Sequence, residues 1–187
     1  MVGRGDRNDS SHSRSLPVFS VGVTGIGPAA SRSQSERSTD ELHPVYCDII
    51  HFRVKNCIFC NIVEETIPSY KVWEDEQFLA FLSIAPQQRG HTLLIPKIHT
   101  DYVFDLSDQD LSQLVLKAKP LAKALKLALK PATGKVGVVF AGMGVAHVHM
   151  HLIPMDSEKD LNFSNARSDV KAEEFEENLK KIKEVLF

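Results

Sequence analysis

The sequence predicts an α+β fold in which helices pack against a sheet. Three observations favour this class. Short apolar runs typical of strands fill residues 70–97, a long segment with helical periodicity follows at 106–130, and two further strand-like runs precede an amphipathic tail. No internal repeat is visible, and no apolar run approaches the roughly 18 residues that a membrane span requires.

Residues 1–55 differ in composition from the rest of the chain. They are rich in serine, arginine and glycine and have little hydrophobic periodicity, which favours a disordered N-terminal extension. Another hypothesis is that they come from an alternative exon or a gene-model artefact, with the native chain shared from about Val54. An organelle transit peptide is a further alternative, which acidic residues such as Asp6 and Glu36 weaken. Residues 56–187 are expected to form the folded domain.

The overall composition is that of an ordinary globular protein. Hydrophobic residues make up 43% of the chain and charged residues 25%, and the formal net charge is −2. This balance indicates neither a nucleic-acid groove nor a polybasic membrane patch. Three cysteines argue against a disulfide framework and favour a reducing compartment, so we expect a cytoplasmic protein.

The first predicted elements are a short helix, a hairpin and a buried strand. "CIFCNIVEE" (57–65) is typical of a turn and helix, and two β-type runs in 70–84 flank Glu74-Asp75-Glu76, which predicts a hairpin. "HTLLIPK" (91–97) follows Gly90 and predicts a buried strand that ends near Pro96.

The second half predicts a long helix, two strands and a final helix. The long helix begins at the N-cap candidate Ser107, and Pro120 within it predicts a kink or a break. Its predicted buried stripe consists of Leu111, Leu114, Val115, Leu121, Ala122, Leu125 and Leu129. "KVGVVFAG" and "HVHMHLIP" are typical of strands. Ser168 is the cap candidate of the last helix, which is acidic first and basic later, in the order that suits the helix dipole.

Three of the eight histidines alternate in "HVHMH". On a strand, His147, His149 and His151 would face one side about 6.5–7 Å apart, with Val148 and Met150 facing the helices. Crowded imidazoles disfavour one another's protonation, so at least one should be neutral, as a nucleophile or a metal ligand must be. A half-exposed strand with a polar face is the alternative.

Cys57 and Cys60 have the C-x-x-C spacing, which suits a redox dithiol, a zinc site or simple packing. A redox motif is expected to open a helix within a βαβ unit, and that pattern is missing. A zinc site would need two more ligands, which His91, His99 or His147 could supply. For His91 a satisfied core histidine, and for Lys97 a solvated strand end, remain alternatives to a catalytic role.

These segments together resemble the histidine-triad (HIT) superfamily of nucleotide-binding hydrolases and transferases. The resemblance rests on "HVHMHLI", on "FLAFLSIAPQQRGHTLLIPKIH" and on "CIFCNIVEETIPSYKVWEDE", in the order and spacing of that family. It implies an antiparallel sheet of about five strands with one long helix and a C-terminal helix, and a homodimer.

The resemblance also implies roles for the histidines. His149 would attack the α-phosphorus of a nucleotide conjugate, form a covalent nucleotidyl-histidine and release it to water or another acceptor. His151 would hold a phosphate oxygen, and His91 would support the triad from a neighbouring strand. The ligand would be a purine nucleotide or its conjugate. Its pocket would be lined by Phe59, Ile62, Ile67, Phe81 and Ile84, with core packing as the alternative for Phe81.

The zinc-bearing subset of the family is the more similar one, and it implies a structural Zn²⁺ held by Cys57, Cys60, His99 and His147. Two positions depart from the family pattern. Ser83 stands where an aspartate usually holds the ribose hydroxyls, and one hydroxyl cannot accept two such hydrogen bonds as a carboxylate does. Gly142-Met143-Gly144 replaces a Gly-Gln-Ser/Thr run, although the N–H groups of Gly142 and Gly144 could still bind an anion.

Three functions remain open on this basis. The first is a hydrolase or transferase that acts on nucleoside phosphoramidates, acyl-nucleotides or dinucleoside polyphosphates. The second is a nucleotide-binding regulatory module with little catalysis, which the departures favour. The third is a zinc hydrolase in which the triad binds the metal and activates water, although positions i, i+2 and i+4 of one strand rarely converge on one ion.

Overall fold

The computed structural model describes residues 57–141 and 143–186. The expectations for residues 1–55 and for Gly142 therefore lie outside the described part of the chain. The helices are α1 (Ile58–Val63), α2 (Asp108–Leu129) and α3 (Ala172–Leu186), and the strands are β1 (Lys71–Glu74), β2 (Phe78–Leu82), β3 (Thr92–Pro96), β4 (Lys135–Phe140) and β5 (Met150–Met155).

The five strands form one antiparallel sheet in the order β1-β2-β3-β5-β4. The predicted hairpin is present: the side chain of Asp75 accepts the N–H groups of Gln77 and Phe78 and so fixes its turn. β3 is fully buried and lies at the centre of the sheet, between β2 and β5. The α+β class with about five antiparallel strands is confirmed.

The two faces of the sheet have different partners. One face packs against α2 and α3 and forms the larger core, which includes Leu94, Met150 and Leu152 from the central strands. The other face carries Leu93 and Ile95 and is covered in part by the short helix α1. Because His151 alternates with Met150 and Leu152 in β5, it lies on this second face.

Helix α2 begins as predicted, because the Oγ of Ser107 accepts the N–H of Asp110 at 3.0 Å. It runs unbroken through Pro120, so a break there is wrong; buried side chains on both sides of the proline, among them Ala118 and Leu121, hold the two halves on one core. Val115 is 53% exposed and does not belong to the buried stripe. Successive helical residues point about 100° apart, which turns Val115 away from the core side where Leu114 is buried.

Two predicted boundaries also need correction. β5 begins at Met150, so of the triad only His151 lies in a regular strand. Before it, the N–H of Val148 donates to the carbonyl of Thr100, outside the β3–β5 ladder. Helix α3 begins at Ala172, four residues beyond Ser168, so Ser168 does not cap it; its acidic start and basic end are as predicted.

Gly90 fixes the approach to β3. Its φ is +71°, and a Cβ there would lie 2.0 Å from the Cδ1 of Leu129 on α2. Only glycine satisfies both the left-handed backbone and this close contact. None of the helices in the described ranges is long and apolar enough to cross a membrane.

Candidate functional site

Two cysteines and two histidines from three separate parts of the chain meet beside α1. Cys57 precedes α1, Cys60 lies within it, His99 follows β3, and His147 precedes β5. Their ligand atoms all lie within 4.8 Å of one another. In the described residues this is the one group of His, Cys, Asp and Glu side chains with metal-binding spacing.

The distances fit a tetrahedral zinc ion. The Sγ of Cys57 is 3.4 Å from the Nδ1 of His147, and the Sγ of Cys60 is 3.3 Å from the Nδ1 of His99 and 3.6 Å from that of His147. Zinc bonds of about 2.3 Å to sulfur and 2.0–2.1 Å to nitrogen give S···N separations of about 3.5 Å in a tetrahedron. A donor set of two thiolates and two imidazoles is typical of structural zinc sites.

The proton positions at His147 also suit a ligand. Its Nε2 donates to the carbonyl of Pro96 at 2.9 Å, which leaves the lone pair on Nδ1, the atom that faces the cysteines. Burial lowers the pKa of His147 to about 4, so the ring is neutral. Burial and the neighbouring Cys57 raise the pKa of Cys60 to about 12, and a cation between these groups would be needed to favour its thiolate.

His149 is held from two sides. Its Nδ1 donates to the carbonyl oxygen of His147 at 2.6 Å, which fixes the tautomer and leaves Nε2 with a free lone pair. The ring of Phe59 stands edge-on to it with centroids 5.1 Å apart. His149 is 6% exposed, and its ring packs edge-on against that of His151 with centroids 4.9 Å apart.

His151 is paired with His91 across the β3–β5 side of the sheet. The Nδ1 of His151 lies 2.9 Å from the Nε2 of His91, within hydrogen-bond distance. Burial, together with nearby histidines, lowers the pKa of His91 to about 3 and that of His151 to about 4, so both are neutral at ordinary pH. The remaining ring nitrogens, Nδ1 of His91 and Nε2 of His151, are buried and make no hydrogen bond of ordinary geometry, although the backbone of Ala141 lies near enough to His151 to raise its pKa against the effect of burial.

The predicted nucleoside pocket is brought together only in part. Phe59, Ile62 and Phe81 are buried in one apolar cluster beside the triad, with Ile67 packed at its edge. Phe81 lies in the core, 4% exposed, as its alternative interpretation held. Ile84 is 75% exposed, and Ser83, 9% exposed, uses its N–H to bond the carbonyl of His91.

The loop before the triad is open at the two described positions that concern it. A Cβ at Gly144 would meet no atom within 4 Å, and the side chain of Met143 is 99% exposed. At Gly144 the loop can therefore contact a ligand only through its backbone. Gly142 lies outside the described residues.

Two participants were missed by sequence reasoning. The carbonyl of Pro96 orients His147, and a backbone carbonyl cannot be recognised from the type of residue that carries it. Phe163, twelve residues further along the chain, packs edge-on against His151 with ring centroids 4.7 Å apart. The only hint was an aromatic residue in the short polar stretch that follows the triad strand.

Comparison with known proteins agrees with this arrangement. The family model described as the HIT domain matches residues 64–158. "Protein hit" of Bacillus subtilis is 40% identical over 109 residues, which cover 57% of this chain and 75% of that protein. A protein of Saccharomyces cerevisiae named adenosine 5′-monophosphoramidase HNT1 is 44% identical over 103 residues, 55% of this chain and 65% of that one.

A solved structure supports the same conclusion. The crystal structure of a Zn-bound histidine triad family protein from Mycobacterium smegmatis superposes with a TM-score of 0.59 at 27% identity. The superposition covers 70% of this chain and 95% of that protein. The cluster of Cys57, Cys60, His99 and His147 fits a zinc-bearing member of this group.

Proposed function

The chain belongs to the HIT domain family, and on that premise we propose that it cleaves nucleotide conjugates at the α-phosphorus through a covalent nucleotidyl-histidine on His149. The substrates would be nucleoside phosphoramidates, acyl-nucleotides or dinucleoside polyphosphates. The name of the yeast relative, an adenosine 5′-monophosphoramidase, favours a purine phosphoramidate as the first to test.

One observation carries this proposal: the Nδ1 of His149 donates to the His147 carbonyl at 2.6 Å. A neutral imidazole has one protonated nitrogen, so this bond leaves Nε2 as a nucleophile. Phe59 holds the ring on one side and His151 lies on the other, which restricts its rotation. A nucleophile held in one orientation loses little entropy when it attacks.

In the first step, the Nε2 of His149 would form a bond to phosphorus while the P–N bond to the leaving amine breaks. The electron pair of that bond goes to the amine nitrogen, which takes up a proton from water. In the second step, water attacks phosphorus, the bond to His149 breaks, and the nucleoside monophosphate leaves. Two displacements of lower barrier thus replace one difficult displacement.

His151 would bind a phosphoryl oxygen through its buried Nε2, which makes no hydrogen bond of ordinary geometry in the described chain. For that nitrogen to donate, Nδ1 of His151 must accept from Nε2 of His91, and their separation of 2.9 Å allows this. His91 would then be a positioning residue that fixes the tautomer of His151. Loss of a fixed donor of this kind costs on the order of 10²–10³ in rate in comparable oxyanion sites.

We assign the zinc site a structural role, with Cys57, Cys60, His99 and His147 as ligands. A bound zinc ion would hold α1 and the segment after β3 against the triad without taking part in bond making. His147 would be a ligand and not a catalyst, because its Nδ1 faces the cysteines and its Nε2 is bonded to Pro96.

The nucleoside would bind against Phe59, Ile62 and Ile67, with Ile84 able to cover it from an exposed position. Ser83 and the N–H groups of Gly142 and Gly144 would supply the polar contacts to ribose and phosphate. With a hydroxyl at Ser83, we expect weaker discrimination between ribose and deoxyribose than a carboxylate would give.

The decisive experiment is to trap the intermediate. The protein is mixed with an adenosine 5′-phosphoramidate, quenched in alkali and examined by mass spectrometry for one added adenylyl group on His149. His149→Ala should lose the adduct and at least about a thousandfold of turnover, whereas His43→Ala, in the N-terminal segment, should change neither. Full activity in His149→Ala would exclude the proposal.

A second candidate is a regulatory module that binds nucleotides with little catalysis. The observations that favour it are Ser83 and the loop at Gly144, which presents no polar side chain. Tight binding of adenosine monophosphate without turnover of any conjugate would support it. A zinc hydrolase using the triad is disfavoured, because the Nδ1 of His147, the nitrogen left free by its bond to Pro96, faces Cys57 and Cys60 and not the other two histidines.

We also propose a cytoplasmic homodimer that pairs through β4. This strand is an edge of the sheet, and its Val138 and Phe140 are 52% and 38% exposed. Exposed apolar edges favour pairing with another strand. Sedimentation of the wild type and of a Val138→Lys variant, which should be shifted towards monomer, tests the assembly.

A further inference from the structure

A half-exposed phenylalanine lies beside the phosphate-binding histidine and takes no part in the steps above. The ring of Phe163 stands edge-on to His151, with centroids 4.7 Å apart and planes at 75°. It is 37% exposed, whereas His151 is 7% exposed. Phe59, His149, His151 and Phe163 thus form a row of rings whose neighbouring centroids lie 4.7–5.1 Å apart.

The segment that carries Phe163 is anchored to the strands beside the site. At its start, Ser157 and Asp160 form a reciprocal capping box on the 3₁₀ helix Glu158–Leu161. Leu161 then packs on Gly137 of β4 so closely that a Cβ there would lie 2.7 Å from its Cδ2. A second 3₁₀ helix, Phe163–Asn165, follows directly and presents the ring.

The end of the segment is fixed as well. The N–H of Arg167 donates to the carbonyl of Pro86 at 2.9 Å, which ties it to the loop between β2 and β3. The guanidinium of Arg167 makes two hydrogen bonds to Glu174 at 2.7 and 2.9 Å, which ties it to α3. Phe163 is therefore held against His151 by contacts on both sides.

The position of the ring indicates which part of a substrate it would meet. Phe59 bounds the row on the nucleoside side, and the phosphoryl group would lie at His149 and His151. The part of the substrate beyond the phosphoryl group is then nearest Phe163. The neighbour at this end is therefore an apolar ring.

We propose that Phe163 is the apolar wall of a leaving-group subsite, and that the enzyme prefers conjugates whose leaving group is an aromatic or apolar amine. This inference rests on the proposed function and deepens it. The bonds made and broken are those given above; Phe163 contacts the substituent of the departing amine. An aromatic contact of this kind contributes about 0.5–1.5 kcal/mol beyond the apolar area that it buries.

The test compares two substrates that differ only in the leaving amine. One is adenosine 5′-phosphoramidate, which releases ammonia, and the other carries a 2-phenylethyl group on the same nitrogen. We expect Phe163→Ala to reduce kcat/KM about tenfold for the phenylethyl conjugate and less than about twofold for the unsubstituted one. Phe163→Leu should give an intermediate loss, and Phe104→Ala, a change at an exposed ring paired with Tyr102, should alter neither.

Equal losses with both substrates would overturn the subsite, because they would mean that Phe163 only supports His151. No loss with either substrate would overturn it too. Phe163→Leu keeps the comparison valid if Phe163→Ala unfolds, and thermal unfolding identifies that case. If both conjugates are turned over equally well by the wild type and the Phe163 variants, the subsite is overturned but the proposed hydrolase function stands. If neither conjugate gives an adduct on His149, the proposed function itself is overturned.

Discussion

The backbone carbonyl of His147 accepts the Nδ1–H of His149 at 2.6 Å, while the ring of His147 faces Cys57 at 3.4 Å. One residue therefore joins the proposed metal site to the proposed nucleophile. Any displacement of the His147 ring would move the carbonyl that fixes the tautomer of His149.

Removing one ligand should thus affect both sites. We expect His99→Ala to reduce bound zinc well below one ion per chain, to lower the melting temperature, and to slow adduct formation about tenfold to a hundredfold. The measurements are zinc stoichiometry, thermal unfolding and the ¹⁵N shifts of the His149 ring. His99→Cys, which restores a thiolate ligand, should retain zinc. A variant His99→Ala that still holds one zinc ion would contradict the assignment.

Removing His91 should act through His151. In His91→Phe, the buried Nδ1 of His151 loses its partner at 2.9 Å, which costs about 1–3 kcal/mol of stability. We expect kcat for nucleotide conjugates to fall about tenfold to a hundredfold, with a smaller change in KM. His91→Gln, whose amide can reach the same nitrogen, should recover part of kcat. An unchanged kcat in His91→Phe would show that the pair has no role in turnover.

The free energy of unfolding should fall in mild acid. Burial lowers the pKa of His91 to about 3 and that of His151 to about 4, whereas both titrate near about 6.5 in an unfolded chain. From about pH 6.5 downwards the unfolded chain binds more protons, and each group removes ~1.4 kcal/mol of stability per pH unit. The stabilisation is complete above pH 6.5 and is lost as the pH falls towards the folded pKa values.

Urea unfolding of zinc-free protein between pH 7 and 5 measures this slope without a contribution from metal release. The double variant His91→Gln/His151→Asn should have a shallower slope over the same range. Equal slopes for the variant and the wild type would mean that other groups cause the pH dependence.

Two glycines allow a matched test of backbone strain and packing. Both have positive φ, +71° at Gly90 and +64° at Gly134, but a Cβ meets Leu129 at 2.0 Å only at Gly90. Gly134→Ala should cost about 1–2 kcal/mol for the left-handed backbone, and Gly90→Ala about 1–3 kcal/mol more for the clash. Equal losses by chemical denaturation would show that α2 moves aside without cost.

Local patterns predicted the elements of this fold well. Ser107 precedes an apolar repeat and caps α2, and Asp75 lies between two β-type runs and fixes the hairpin. The resemblance to a family with a C-x-x-C motif also predicted the four residues of the Cys57, Cys60, His99 and His147 cluster. In each case the signal lies in short stretches of sequence.

The wrong or missed predictions concern features that depend on contacts between distant parts of the chain. The continuity of α2 at Pro120 depends on core contacts on both sides of the proline, and the start of β5 at Met150 depends on where β3 and β4 can pair with it. The contact of Phe163 with His151 depends on Leu161 packing against Gly137. None of these is encoded in hydrophobic periodicity.

The place of Phe59 has a consequence for redesigning this protein. It lies between Cys57 and Cys60 in the sequence, and its ring touches both His147 and His149. A substitution made there to change the proposed base preference would also disturb the cluster of Cys57, Cys60, His99 and His147 and the proposed nucleophile. Engineering of base preference should therefore begin at Ile67 or Ile84, at the outer side of the proposed pocket, because neither residue contacts these histidines.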